Sequence, residues 1–212
     1  MNKNRKKWLL SSVIWLEMFA VWTVLLGFID VQAIGPRESA VGFASLNQWF
    51  HGLTGVNMLL YTITDWLGLV PVGFAFCFAI LGLIQWIRRK HILKVDQSIL
   101  ILGVFYIAVM AAYIFFEKNV VNYRPILIEG YLEASYPSST TLLVMCVMPT
   151  ALSQLRGRIQ NKKLSRLVSM LIIAFIAFMV IGRLISGVHW VSDIIGGTLL
   201  SAGLVALYHS AI

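Results

Sequence analysis

The chain has 212 residues, of which 59% are apolar and only 12% charged. Soluble domains carry about a quarter charged residues, so the composition excludes an ordinary water-soluble globule and points to lipid as the solvent. The net charge of +8 does not indicate nucleic acid, because thirteen of the seventeen Lys and Arg fall in three clusters at the ends of apolar runs. These are Lys3, Arg5, Lys6 and Lys7; then Arg88, Arg89, Lys90 and Lys94; then Arg156, Arg158, Lys162, Lys163 and Arg166. No basic, aromatic-lined surface is left free of the bilayer.

In chain order, six apolar runs approach the roughly 20 residues that a membrane helix needs: 8–28, 66–87, 99–116, 139–155, 167–185 and 190–208. The first is too long for the apolar core of a signal peptide. With the N-terminus in the cytoplasm, alternation puts all three basic clusters on the cytoplasmic side, as the positive-inside rule requires. Both termini are then cytoplasmic. Residues 30–65 become an outer loop in which Phe43, Leu46, Trp49, Phe50 and Leu53 recur at helical spacing, the pattern of an amphipathic helix lying in the outer interface. Glu17 falls inside the first run, and a carboxylate there is expected to face the bundle interior. Cys77 and Cys146 lie inside apolar runs and read as small packed side chains. No polar linker divides the chain, so residues 1–212 form one domain. The expected fold is an all-α integral membrane protein of six transmembrane helices with one interfacial helix, in the cell membrane. The absence of an Asn-x-Ser/Thr acceptor fits a bacterial source.

Under this topology three polar segments share the outward side. The first is 117–125, with Glu117, Lys118, Tyr123, Arg124 and Pro125. The second is 136–141, with Tyr136, Pro137, Ser138, Ser139, Thr140 and Thr141. The third holds Arg183, His189 and Asp193. Two guanidiniums offer planar forks for phosphate oxygens. Ser138 and Ser139 open a helix, where free N–H groups favour an anion. His189 and Asp193 are four apart, which on a helix puts them on one face with Asp193 holding the imidazole in one tautomer. An oriented imidazole beside two arginines and an anion-binding turn is an arrangement for phosphoryl transfer.

Arg124-Pro125, then Pro137-Ser138-Ser139, then Arg183 followed by His189 and Asp193, resemble in order and spacing the three signature motifs of the type 2 phosphatidic acid phosphatases, the PAP2 lipid phosphatases. The match runs from about residue 117 to 197. The resemblance implies a metal-independent phosphohydrolase with no cofactor, acting on membrane lipid phosphates or diphosphates within the bilayer. It makes His189 the nucleophile that forms a phosphohistidine and Asp193 its orienting partner. Arg124, Arg183, Ser138 and Ser139 become the phosphate ligands. Two positions depart from the family pattern. Glu117 stands where the first motif opens with Lys, and the adjacent Lys118 is turned about 100° along a helix. Thr140 stands where the second motif ends in the His that protonates the leaving group, and a threonine hydroxyl cannot do this near neutral pH. A phosphate leaving group needs far less acid assistance than an alkoxide, so the expected preference is for diphosphates such as a polyprenyl diphosphate. Tyr123, Tyr136 or water at Thr140 would supply what proton the reaction needs. The rival readings are a non-catalytic lipid-phosphate-binding member of the same family and, third, a lipid transporter, against which stands the lack of duplicated halves. The sequence points to no particular protein partner.

Overall fold

Asn2 opens the first helix by accepting the N–H of Asn4 with its side chain, and eight α-helices follow in the computed structural model, which describes residues 2–212. They are α1 (Lys3–Leu26), α2 (Ala44–Thr54), α3 (Met58–Leu67), α4 (Leu69–Arg89), α5 (Gln97–Lys118), α6 (Ser139–Arg158), α7 (Lys162–Ile185) and α8 (Val191–Ala211), with short 3-10 turns at Pro36–Glu38 and Ile92–Lys94. Among the described residues there are isolated β-bridges but no strands.

Five stretches are long and apolar enough to cross a membrane: α1, α3 and α4 taken together as Met58–Arg89, α5, α7 and α8. The expected second run, 66–87, therefore starts too late. The chain turns helical at Met58, where the Asn57 side chain accepts the N–H of Leu60, and α3 passes into α4 at Gly68. Sequence pattern missed α3 because Thr62, Thr64 and Asp65 break its apolar run. The fourth run becomes α6, of 20 residues. Thr141, Thr150 and Gln154 dilute its hydropathy and are all buried inside the protein. A helix surrounded by other helices faces protein rather than lipid, where Thr150 and Gln154 find hydrogen-bond partners, while the Thr141 hydroxyl is buried without one. Thr150 bonds back to the Cys146 carbonyl at 2.8 Å. Gln154 donates to the Tyr208 hydroxyl at 2.5 Å.

The core collects Phe105, Leu102, Leu142, Cys146, Tyr136 and Tyr208 from α5, α6, α8 and the segment before α6. Two expectations fail here. Glu17 is exposed on the outside of α1 rather than turned inward, because α1 packs against α8 along one side only. Cys77 is likewise exposed, while Cys146 is buried.

The two ends of the bundle differ in chemistry. At one, Arg5 donates to the Ala211 carbonyl at 2.7 Å, joining the termini. There Asp96 pairs with Arg89 at 2.9 Å and stands 3.9 Å from Arg158. At the other, everything converges on the start of α8. Trp22 on α1 donates to the Ser192 carbonyl at 3.1 Å. The buried Asn47 on α2 accepts the Ser192 N–H at 3.1 Å and donates to its hydroxyl at 2.9 Å. The helix expected around residues 43–53 is thus present as α2, and it is fixed to α8 by a buried amide.

Candidate functional site

The segment between α5 and α6 positions the first arginine. Asn122 and Ser135 face each other, with Ser135 N–H donating to the Asn122 carbonyl at 2.9 Å and Arg124 N–H to the Glu133 carbonyl at 3.1 Å. Glu129 and Gly130 turn the chain with φ of 50° and 82°, the two positive values of a tight hairpin turn. This narrow ribbon brings Arg124 Nε to 3.1 Å from Glu133 Oε2.

The turn between α7 and α8 positions the second arginine and the histidine. Gly187 has a φ of +68°, and a Cβ there would lie 1.9 Å from the Gly55 carbonyl oxygen. Only glycine allows this backbone and this approach together. Around it, Asn57 N–H donates to the Ser186 carbonyl at 2.9 Å, and His51 Nε2 lies 3.1 Å from the Gly187 carbonyl. The turn leaves Arg183 1% and His189 3% exposed.

His189 is not on α8, which begins at Val191. It therefore does not share a helix face with Asp193, and no ion pair links the two among the described residues. Their spacing of four spans a turn and a helix start. Ser135 stands between them instead. Its hydroxyl lies 2.9 Å from His189 Nδ1 and donates to Asp193 Oδ2 at 2.5 Å. Asp193 also accepts the Trp190 N–H at 3.0 Å and the Asn122 amide at 3.1 Å.

Arg124, Arg183 and His189 form one electrostatic cluster. Both guanidiniums approach the face of Tyr61 on α3, Arg183 at 5.0 Å and Arg124 at 6.0 Å from its centroid. Arg183 Nη2 reaches Asp65 Oδ1 at 3.4 Å. Burial first, then Arg124 and Arg183, push the His189 imidazole well below its ordinary value of 6.5, so it is neutral at physiological pH. Nε and Nη1 of both arginines and Nε2 of His189 are buried without a hydrogen-bond partner. For Arg124 Nε, the Glu133 carboxylate is close enough for an ion pair but off the N–H direction. Buried polar groups are normally satisfied, so the four unpartnered guanidinium N–H donors of Arg124 and Arg183 mark a place for an acceptor-rich anion, with His189 Nε2 left open beside them.

The start of α6 differs from its expected form. Ser138 caps the helix, its hydroxyl 3.5 Å from the Thr141 N–H, and its own N–H donates to the Asp193 carbonyl at 3.1 Å. Its backbone donor is therefore committed. The first-turn N–H groups of Ser139 and Thr140 make no hydrogen bond among the described residues. Ser139 and Thr140 line a cleft of about 270 Å³ together with Asp65. Tyr136 is no proton carrier, because its ring is buried against Phe19 and its hydroxyl bonds Thr23 at 2.6 Å. Burial raises its pKa above the ordinary value. Tyr123 contributes its carbonyl, which accepts Trp190 Nε1–H at 2.8 Å. Glu117 and Lys118 are exposed at the end of α5, and neither makes a hydrogen bond or ion pair with the cluster.

The sequence profile of the PAP2 superfamily matches residues 100–212. The chain belongs to the PAP2 superfamily. That span holds Arg124, Ser135, Arg183, His189 and Asp193. A solved structure described as the first transmembrane PAP2 type phosphatidylglycerolphosphate phosphatase from Bacillus subtilis shares the fold, with a TM-score of 0.59, 19% identity and 94% of each chain covered. No curated protein matches the sequence. The five apolar spans and the shared fold make this a multi-pass membrane protein of the PAP2 superfamily, and α3 carries Tyr61 and Asp65 to the buried cluster from outside the matched span.

Sequence reasoning missed Tyr61, Asp65, Ser135 and Glu133. Ser135 could have been noticed as the hydroxyl that opens the run 135–141, two residues before Pro137. Tyr61 and Asp65, four apart, share one face of a helix. Nothing local marks Glu133.

Proposed function

We propose that this PAP2 protein is a membrane lipid phosphate or diphosphate phosphohydrolase with His189 as nucleophile. The observation that carries the reading is the set of buried, unpartnered nitrogens on Arg124, Arg183 and His189. Arg124 and Arg183 would bind the phosphate oxygens, joined by the free N–H groups of Ser139 and Thr140 at the start of α6. His189 Nε2, neutral and without a competing donor, attacks phosphorus. A P–N bond forms, the P–O bond to the leaving group breaks, and the leaving oxygen keeps the electron pair. Water then attacks phosphorus, the P–N bond breaks and its electrons return to Nε2, releasing inorganic phosphate.

The surroundings support a lipid. The cleft at Ser139 and Thr140 shares Val72 and Met110 with an apolar groove of about 680 Å³ between α4 and α5. A hydrocarbon tail would lie there with its headgroup at the arginines. The reading takes residues 1–212 as one unit. α6 is its sixth span, α2 lies in the outer interface, the basic end is cytoplasmic and the site is outward.

The leaving group decides the substrate. Thr140 offers no titrating proton, and general acid assistance is worth roughly 10²–10⁴-fold. A diphosphate, which expels a phosphate monoester, is the favoured substrate on this ground. The test is phosphate release by purified protein in detergent, without added metal, from a polyprenyl diphosphate and from the corresponding monophosphate. Faster release from the diphosphate, lost in His189→Ala, is expected. Faster turnover of the monophosphate would overturn the substrate preference. No release from either lipid, with binding retained, would favour a phosphate-binding, non-catalytic member.

A further inference from the structure

Ser135 lies outside the three signature motifs, yet its hydroxyl occupies the place where a direct His–Asp contact was expected. Its hydrogen-bond directions follow from proton counting. A hydroxyl has one proton to give. Asp193 Oδ2 at 2.5 Å is a carboxylate oxygen that also accepts the Trp190 N–H. The Ser135 proton therefore points to Asp193, and its lone pair faces His189 Nδ1 at 2.9 Å. Nδ1 must then carry the hydrogen, which leaves the lone pair on Nε2, the atom that is buried without a partner.

We propose that Ser135 is the positioning residue that sets the His189 tautomer and passes the influence of Asp193 to the nucleophile, forming a His–Ser–Asp relay where two members would suffice. The proposal rests on the reading of His189 as the nucleophile. The relay serves the covalent step directly. When Nε2 bonds to phosphorus the ring gains positive charge while keeping its Nδ1 proton. Ser135 accepts that hydrogen bond, polarised by the carboxylate behind it. Hydrogen bonds in such a chain polarise and strengthen each other in a low-dielectric interior.

The rest of the surroundings leave Ser135 this task. Its N–H bonds the Asn122 carbonyl, which fixes the backbone whatever the side chain. Asn122 and Trp190 satisfy Asp193 independently of it. Removing the Ser135 hydroxyl takes away the side-chain partner of the His189 Nδ1–H, leaving the Ser135 carbonyl beside the ring, and leaves the carboxylate held. The phosphate ligands do not touch it among the described residues, so substrate affinity should be indifferent to it.

The experiment compares wild type, Ser135→Ala and Ser135→Thr, with His189→Ala as the reference for a dead nucleophile. Histidine-selective ¹⁵N NMR reads the His189 tautomer, and orthovanadate binding reads the phosphate pocket. The expected result is a wild-type ring with hydrogen on Nδ1 and a mixed or reversed tautomer in Ser135→Ala. Ser135→Thr should restore the wild-type pattern, and orthovanadate affinity should be unchanged throughout. With a turned-over lipid, kcat of Ser135→Ala should fall roughly 10–100-fold at constant KM, the scale measured for partners that orient metal-bound imidazoles. An unchanged His189 tautomer in Ser135→Ala would overturn the relay whether or not the protein turns over substrate. A wild-type tautomer that responds to Ser135→Ala, in a protein that hydrolyses neither lipid, would retain the relay and remove the phosphohydrolase reading instead. If both substitutions abolish orthovanadate binding, the residue shapes the pocket rather than the nucleophile, and the relay is again overturned.

Discussion

At the scale of single residues, the site's central difficulty is that two guanidiniums are buried beside a neutral imidazole while the carboxylates paired with them, Glu133 and Asp65, stay open to solvent. Tyr61 eases this by placing its ring against Arg183 and Arg124, at 5.0 and 6.0 Å from the centroid. Cation–π attraction in a desolvated setting is worth about 2 kcal/mol, which is more than tenfold in affinity. Tyr61→Ala is therefore expected to raise KM about tenfold, whereas Tyr61→Phe, which keeps the ring, should stay within about threefold. A Phe variant as impaired as the Ala variant would show that the phenol O–H binds phosphate itself. The same two arginines govern His189. Burial, reinforced by both cations, lowers its pKa well below 6.5, so the nucleophilic form persists as pH falls and is lost only on passing through that lowered pKa. The profile of kcat/KM reports groups on the free enzyme. Its acid limb should therefore lie below pH 6.5 once the substrate's own second phosphate ionisation near 6 is factored out. A limb at 6.5 or above would mean that the arginines do not bear on this imidazole.

At the scale of elements, the turn between α7 and α8 is the most demanding piece of backbone in the site. Gly187 combines a φ of +68° with a Cβ position 1.9 Å from the Gly55 carbonyl oxygen, whereas Gly130, at +82°, faces open space. A non-glycine residue in the left-handed region costs of order 1–3 kcal/mol. Gly130→Ala should carry that cost alone and lower the thermal midpoint by a few degrees, with kcat unchanged. Gly187→Ala must in addition push α2 and α3 away from the turn, so it should lower the midpoint further and reduce kcat, because His189 is two residues away. Equal effects from the two substitutions would refute this packing argument. These elements also mark what was legible in the sequence. Long apolar runs and basic clusters delimit α1, α4, α5, α7 and α8, since lipid exposure leaves its signature at almost every position of a span. The order and spacing of Arg124, Arg183, His189 and Asp193 pointed to the site's chemistry. α3 was not legible, because its polar residues serve the site and weaken the apolar period. The His189–Asp193 spacing was misread as helical, since a spacing of four does not reveal that a helix begins between the two. Ser135 and Glu133 reach the site through the ribbon after α5, a tertiary pairing that local pattern does not encode. Glu17 was misplaced because α1 buries only the side that meets α8.

Across the whole molecule, charge is sorted to two ends for different reasons. At the basic end the cations are exposed or paired, as Arg89 and Arg158 are around Asp96, and they cost the fold little. At the other end Arg183 is 1% exposed, and its one ion-pair partner among the described residues, Asp65 at 3.4 Å, is itself largely open to solvent. Holding a guanidinium there without full compensation opposes folding, and exchanging a buried charge for a well-packed apolar side chain of similar volume is often stabilising by about 1–4 kcal/mol. The phosphate site is thus assembled at the expense of stability, and an anion should return what the empty site forgoes. Arg183→Met tests both halves of this argument in one thermal unfolding series in detergent. Without ligand, its midpoint should equal or exceed that of wild type, because the methionine fills the space and the partner left behind, Asp65, can be hydrated. With orthovanadate at about 100 times its dissociation constant, wild type should gain about 2.7 kcal/mol, a shift of several degrees for a chain of this size. Arg183→Met should gain almost nothing. If the variant unfolds well below wild type without ligand, Arg183 is a structural tie between α7 and α3. If it responds to orthovanadate as wild type does, the anion binds elsewhere.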